Sequence, residues 1–226
     1  MTKKKDFRIR RSILTGTGLA TAAFVSRHST AEDENLKFEP ARHGNDGWMD
    51  EIPGTHRVWI DTSYAIGGME ALHYAKNILS SNVTVDGGQD SDYAMVICWR
   101  HYSPPLAYND SVWEKYGEIF CSVMQLEDPT SGQPFLVNPG NILGRPDLDN
   151  AGDTIDLMLK RGVNIAVCNS ATTWYAGYVA DQIGGNAEEI YQEFVDSAVP
   201  NSRFVEAGVF ATTRAQEYGY SLLYAG

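Results

Sequence analysis

Short apolar runs alternate with helix-length amphipathic segments over most of this 226-residue chain, and this alternation limits the fold more than any other feature. The run at 93–98 is apolar almost throughout, which is typical of a strand buried on both faces. Strands separated by helical segments predict βαβ units and a largely parallel sheet covered on both sides. The predicted strands are 56–61, 93–98, 163–167 and 204–205, and the predicted helices are 69–79, 153–161, 170–183, Asn186 to before Pro200, and 212–224.

Two parts of the chain fit this alternation poorly. Residues 32–54 are polar and interrupted by prolines and glycines, so we expect an extended lead-in before a domain at 55–226. The region 117–140 has two apolar stretches around a turn-rich centre, which predicts an inserted hairpin after a short helix at 113–116.

The charge of the chain is unevenly distributed. The formal net charge is -11, but residues 1–31 hold seven of the 18 Lys and Arg residues and one of the 29 acids. Positions 32–226 therefore carry 11 basic and 28 acidic residues, a net charge of -17. Such an acidic body lacks the basic footprint that nucleic-acid binding needs, and it opposes docking on an anionic membrane. We expect no nucleic-acid partner and no membrane association of the mature protein.

The first 31 residues have the features of an export signal. A basic head ends in Arg10-Arg11, and the apolar run at 14–25 is shorter than the roughly 20 residues that a membrane-spanning helix needs. Small residues at 29–31 supply a cleavage site. This order is typical of a twin-arginine signal peptide, which predicts a periplasmic mature protein. The alternative is a basic tail on a cytosolic protein.

Cysteine and aspartate spacing limits the chemistry. The chain has three cysteines, Cys98, Cys121 and Cys168, so at least one lacks an intramolecular disulfide partner. No CxxC, zinc or haem motif is present, and no metal or cofactor is expected. Four aspartates also lack the spacing of a metal-binding loop and are interpreted as turn and cap residues. These are Asp61, Asp110, Asp149 and Asp153.

The candidate functional residues follow the ends of predicted strands. Ligands of open α/β sheets bind at this place, beyond the carboxyl ends of the strands. The segments 61–68, 98–102 and 168–170 all follow strands. Cys168 is the strongest candidate, since a thiol between a buried strand and a helix start meets the positive end of the helix dipole, which favours the thiolate. The alternative is a structural cysteine that packs as a small hydrophobe.

The sequence around Cys168 resembles a known family. Lys160–Val163 leads into Val167–Ala171, and Ala207–Val209 and Arg214–Tyr220 follow. Their order and spacing are similar to those of the DsrE/DsrF-like family of sulfur-relay proteins over roughly residues 55–226. The resemblance implies a three-layer α/β/α, flavodoxin-like fold with about five mostly parallel strands, assembly into homo-oligomers, and a persulfide-carrying cysteine at Cys168. The stretch after Cys168 lacks the Arg-Gly pair of the relay branch.

Further residues complete the candidate site. His101 is a candidate base or ligand near Cys168, with a surface role as the alternative. Cys98 is either a redox partner of Cys168 or part of the core. The aromatic residues are either pocket walls or core and interface. The other candidate pocket residues are Trp99, Tyr102, Asn169, Ser170 and Trp174, with Tyr108 and Tyr175 as further aromatic candidates.

Three functions follow from these residues. The first is an exported DsrE/DsrF-like protein that handles sulfur through Cys168, by persulfide carriage or thiol exchange, as a sulfurtransferase-like carrier with a sulfur-donor or redox partner protein. The second is a non-catalytic module that binds a small molecule or an electron-transfer partner in the aromatic pocket. The third is an inert interaction subunit that is exported in its folded state with a partner.

Overall fold

The computed structural model describes residues 39–226 and contains one five-stranded parallel sheet with helices on both sides. The predicted three-layer α/β/α, flavodoxin-like architecture is therefore confirmed. The twin-arginine signal expected at 1–31 and the start of the lead-in lie outside the described residues. The strands are β1 His56–Thr62, β2 Tyr93–Trp99, β3 Asn164–Cys168, β4 Ser202–Val205 and β5 Ser221–Ala225. The helices are α1 Trp48–Glu51, α2 Ala65–Ser81, α3 Asp110–Met124, α4 Ile155–Lys160, α5 Asn169–Ile183, α6 Ala187–Asp196 and α7 Gly208–Glu217.

The strand order explains how the helices divide between the two faces. The order across the sheet is β4-β3-β2-β1-β5, so the chain moves in one direction from β1 to β4 and then returns to the far edge. Right-handed crossovers place every helix of the outward path on one face and the helix of the return path on the other. Accordingly, α2 to α6 cover one face, and α7 with α1 covers the opposite face.

Alternate residues of the strands build two separate cores. In β2, Met95, Ile97 and Trp99 face the larger core under α2 to α6, whereas Val96 and Cys98 face the smaller core under α7. This is the two-residue period of a strand buried on both sides. The face of each strand-end side chain therefore follows from its position in this alternation. None of the helices in residues 39–226 is long and apolar enough to span a membrane.

The prediction of a hairpin at 117–140 is wrong. Asp110–Met124 forms the single helix α3, which also replaces the shorter helix expected at 113–116. Its buried residues recur at helical spacing, from Val112 and Trp113 to Phe120 and Cys121. Asn109 caps the helix by accepting hydrogen bonds from the first-turn amides. The β-branched and aromatic residues of this region suggested strands, but the apolar period is helical, and burial of that face decides the structure.

The helix expected at 212–224 is also wrong in its second half. Helix α7 ends at Glu217, and Gly219 adopts a positive φ of 82° that breaks the helical path. Ser221–Ala225 then pairs with β1 as the edge strand β5. Hydrogen bonding to a strand more than 150 positions away in sequence overrides the local preference of this segment.

The lead-in, expected to be extended over 32–54, is partly helical from residue 39 onward. A 3-10 turn at Gly44–Asp46 precedes α1, and Trp48 and Met49 of α1 are buried in the smaller core. The Tyr220 hydroxyl donates a hydrogen bond of 2.7 Å to the Met49 carbonyl. The segment covers the sheet beside α7, where the Trp48 ring contacts the Trp59 ring of β1 at 6.2 Å between centroids.

Candidate functional site

Cys168 lies at the junction that the sequence predicts, as the last residue of β3 and the N-cap residue of α5. Its φ of -69° and ψ of 109° are extended, so the chain turns into the helix directly after it. The side chain is 7% exposed and makes no capping hydrogen bond to the helix amides. The sulfur atom therefore belongs to a buried strand end that opens towards a cavity.

This cavity has a volume of about 440 Å³ and lies beyond the carboxyl ends of β2, β3 and β4. Each strand supplies one wall through the segment that follows it. The size is within the range of roughly 300–1,000 Å³ that is usual for small-molecule sites. The lining residues are Arg100, His101 and Tyr102 after β2, Cys168, Ser170, Ala171 and Trp174 at the start of α5, and Ala207, Gly208 and Val209 at the start of α7.

Arg100 supplies the positive charge of the cavity. Its Nε and Nη2 atoms donate hydrogen bonds of 2.7 Å each to the two carboxylate oxygens of Asp61, which lies on β1 and is buried. The Thr212 hydroxyl donates a further hydrogen bond to Asp61 at 3.2 Å. The hydrogen bond to Asp61 raises the pKa of Arg100, so the guanidinium stays charged. Asp61 is therefore an ion-pair partner, and its interpretation as a turn residue is wrong.

The close packing of α7 holds Arg100 in place. A Cβ atom at Gly208 would lie 2.5 Å from the Cβ atom of Arg100, so only glycine allows α7 to begin there. Sequence reasoning included Arg100 in the segment after β2 but assigned it no role. The sequence does contain a signal for this ion pair. Asp61 ends one apolar run, Arg100 comes shortly after the next, and the two runs are neighbours in a parallel sheet.

His101 lies at the rim of the cavity. It adopts a positive φ of 57° and packs against Tyr102, with ring centroids 3.9 Å apart, and against Tyr64 at 6.0 Å. Among the hydrogen bonds of residues 39–226, none joins His101 to Cys168. The structure thus brings His101 to the same cavity as Cys168 without a direct contact that would make it a base for the thiol.

Trp174, Tyr102 and Ser170 also line the cavity, as the sequence predicts. Trp174 is 49% exposed and stacks on Tyr178 at 5.3 Å between ring centroids. The Ser170 hydroxyl donates a hydrogen bond of 2.7 Å to the Glu206 carbonyl, which ties the start of α5 to the end of β4. Aromatic and aliphatic side chains therefore line the cavity together with the charged Arg100.

Three predicted pocket residues lie outside the cavity lining. Cys98 is 0% exposed in the core under α7, where burial raises the pKa of its thiol well above the ordinary value. Trp99 points to the opposite face and donates a hydrogen bond of 3.1 Å to the Gly68 carbonyl. Asn169 accepts a hydrogen bond of 2.7 Å from the Tyr191 hydroxyl. Strand β2 continues to Trp99. Helices on the two faces of the sheet therefore cover the side chains of Cys98 and Trp99, and neither side chain borders the cavity.

The remaining aromatic candidates and the other cysteine are structural. Tyr108 and Tyr175 are fully buried, and their hydroxyls donate hydrogen bonds of 3.1 Å to Thr172 and to the Tyr102 carbonyl, respectively. Cys98, Cys121 and Cys168 are all free thiols, so Cys98 and Cys168 are not joined in a disulfide. Within residues 39–226, no three His, Cys, Asp or Glu side chains come together in a group that could hold a metal ion.

Fold and site together define a three-layer α/β/α protein with a cysteine and an arginine at the carboxyl edge of its sheet. Comparison with protein-family models, curated proteins and solved structures finds no match.

Proposed function

We propose that this protein handles sulfane sulfur through Cys168, as an exported DsrE/DsrF-like carrier. The observation that carries the proposal is the position of Cys168, at the N-terminus of the 15-residue helix α5 and in the wall of a 440 Å³ cavity. A sulfur carrier needs a nucleophilic sulfur atom that small donors reach and bulk water reaches poorly. A side chain that is 7% exposed but borders a cavity meets both requirements.

The chemical step is a sulfur transfer without net oxidation. The Cys168 thiolate attacks the outer sulfur of a persulfide donor R–S–SH, a new S–S bond forms to Cys168, and the donor S–S bond breaks to release R–S⁻. The product is Cys168–S–SH, and no external oxidant or reductant is consumed. The helix dipole of α5 stabilises negative charge at its N-terminus, both on the attacking thiolate and on a deprotonated persulfide.

Arg100 supports the same proposal from the neighbouring strand. The stretch that follows Cys168 in α5 lacks the Arg-Gly pair of the sulfur-relay branch. Arg100 lines the cavity that Cys168 lines, and its guanidinium remains charged. A positively charged side chain therefore borders this cavity from the end of β2 rather than from α5.

Export and oligomerisation are separate parts of the proposal. The basic head with Arg10-Arg11 supports export by the twin-arginine route to the periplasm, and the family resemblance supports a homo-oligomer. Expression in a bacterial host with and without a functional twin-arginine translocase tests the first. Export is refuted if the mature protein reaches the periplasm equally in both strains or retains Met1.

Mass spectrometry of the native protein after treatment with inorganic polysulfide tests the sulfur chemistry. The expected result is an adduct of about 32 Da, one sulfur atom, on the peptide that contains Cys168. It should disappear in Cys168→Ser and persist in the matched controls Cys98→Ser and Cys121→Ser. Cys98 is buried in the core, and Cys121 borders a different cavity, away from Arg100 and the start of α5. An unmodified Cys168 in correctly folded protein would refute the proposal.

The second candidate function is a non-catalytic small-molecule binding module. The wall formed by Trp174, Val209 and Tyr102 favours it, because ligand pockets are mostly apolar with a few placed polar groups. In that case Cys168→Ser should leave ligand binding and cellular function intact, whereas Trp174→Ala should reduce both. A loss of function in Cys168→Ser with unchanged ligand binding would exclude this alternative.

A further inference from the structure

Arg100 and Cys168 lie side by side on the same face of the sheet. The β2–β3 register ends with Trp99 beside Val167, so the next residue of each chain segment is Arg100 and Cys168. Alternation places both on the side of α7, beyond Cys98 and Ala166 of the smaller core. Both then border the cavity. Adjacent parallel strands thus bring these two residues to the lining of one cavity.

Asp61 orients the guanidinium of Arg100 but accepts hydrogen bonds from only some of its N–H groups. Its contact with Asp61 engages Nε and Nη2 at 2.7 Å each, which leaves the other N–H groups of the five-donor guanidinium outside that pair. The Arg100 side chain is 20% exposed, while that of Asp61 is 8% exposed. A guanidinium held in this way keeps N–H groups available to a second oxygen anion.

Most of the other lining residues favour an apolar group. Trp174, Ala171, Ala207 and Val209 are among them, and the cavity of about 440 Å³ is much larger than a small inorganic anion requires. Trp174 and Val209 are 49% and 59% exposed, so an apolar molecule that packs against them covers apolar surface. Covering such surface favours binding.

We infer that the sulfur donor is an organic anion, with its anionic oxygen group on Arg100, its apolar body against Trp174 and Val209, and its sulfane sulfur at Cys168. This inference rests on the proposed sulfur-transfer function and names its substrate class. An arenethiosulfonate, ArSO2–S⁻, has all three parts. The Cys168 thiolate attacks the terminal sulfur, the S–S bond to the sulfonyl group breaks, and ArSO2⁻ leaves with Cys168–S–S⁻ as the other product. Arg100 binds the sulfonyl oxygens, on which charge increases as the leaving group departs.

The first experiment measures ligand binding without sulfur transfer. Isothermal titration calorimetry of benzenesulfinate, the leaving group, with Cys168→Ser protein is compared with sulfite, which has the anionic oxygens alone, and benzyl alcohol, which has the apolar ring alone. Benzenesulfinate is expected to bind at least tenfold more tightly than either. The double variant Asp61→Asn with Arg100→Gln removes both charges without leaving a buried one unpaired, and it should weaken binding by tenfold or more.

A matched control is present in the same chain. Arg161 forms a similar two-pronged pair with Asp90, at 2.7 and 2.8 Å, away from the cavity. The double variant Asp90→Asn with Arg161→Gln should leave benzenesulfinate binding unchanged. Equal binding by the Asp61/Arg100 variant and the parent protein, or equal binding of benzyl alcohol and benzenesulfinate, overturns the inference.

The second experiment separates the donor class from the proposed function. Persulfide formation on Cys168 is followed with benzenethiosulfonate and with inorganic polysulfide as donors. A preference for benzenethiosulfonate that falls by tenfold or more in the Asp61/Arg100 variant supports the inference. Uptake from polysulfide without any such preference overturns the donor class and leaves sulfur transfer standing. No uptake from either donor overturns the proposed function, and the donor class with it.

Discussion

The three thiols should differ in reactivity by orders of magnitude in the native protein. Cys98 is 0% exposed in the central part of the sheet, between β1 and β3 and beneath α7. A reagent reaches it only when the sheet opens, which is close to global unfolding and costs about 5 kcal/mol or more. Because each 1.4 kcal/mol is a factor of ten, its labelling should be at least about 10³-fold slower than that of an accessible thiol.

Cys168 requires no such opening because it borders the cavity. Cys121 borders a separate cavity of about 460 Å³, and it should fall between the two because its thiol is also held by a loop and has a raised pKa. Cys121 is 4% exposed and accepts a hydrogen bond of 3.2 Å from the Phe135 amide in the loop that covers it. Burial raises the pKa of Cys121, which slows its reaction further. Opening that loop exposes the thiol without unfolding the sheet.

Iodoacetamide labelling with peptide-resolved mass spectrometry measures all three rates in one sample. Labelling in urea supplies the unfolded reference, in which the three rates should be similar. Labelling of Cys98 within tenfold of the rate of Cys168 in the native protein would refute burial as the cause of its protection. A Cys168 that is protected as strongly as Cys98 would contradict the assignment of Cys168 to an accessible cavity.

Two further predictions concern stability. Gly67→Ala should destabilise the protein by about 1–3 kcal/mol, because the new Cβ atom would lie 2.2 Å from the Ala225 carbonyl oxygen in β5. The matched helical change Gly177→Ala, whose Cβ atom would have nothing within 4 Å, should stabilise the protein by about 0.5–1 kcal/mol. Urea unfolding measures both changes. Hydrogen bonds from Arg145 lower the pKa of Asp128 to about 2, so its stabilising contribution is present above the unfolded value near 3.8 and is lost as pH falls through about 2. Asp128→Asn should flatten the acid limb of the urea-unfolding midpoint against pH, and an unchanged slope would contradict this.

Much of the fold can be predicted from the sequence because the signals are local. The runs at β1, β2 and β3 combine apolar composition with strand length, and the glycine and capping residues around α5 and α6 mark their ends. The errors occur where composition and context conflict. Region 110–124 contains many strand-favouring residues in a helical period, and 221–225 becomes a strand only by pairing with β1.

The candidate site was predictable in part for the same reason. Cys168 was located because a strand end followed at once by a helix start is a local pattern. The sequence leaves Cys98 open between pocket and core and includes Trp99 in the pocket, because an apolar run does not reveal which alternate residues face which side, or where the strand ends. The role of Asp61 is hidden in the sequence because its ion-pair partner Arg100 is 39 positions away.

The sequence by itself determined the class of this protein: a parallel α/β sheet with a cysteine at a strand-to-helix junction, on an acidic body. Only the tertiary structure decided what surrounds that cysteine. The strand order sets β1 beside β2 and β2 beside β3, and this brings Asp61, Arg100 and Cys168 to one face of the sheet. Backbone hydrogen bonding between distant segments fixes these neighbours, and no local pattern encodes it. The aromatic and charged walls of the cavity are a consequence of that pairing.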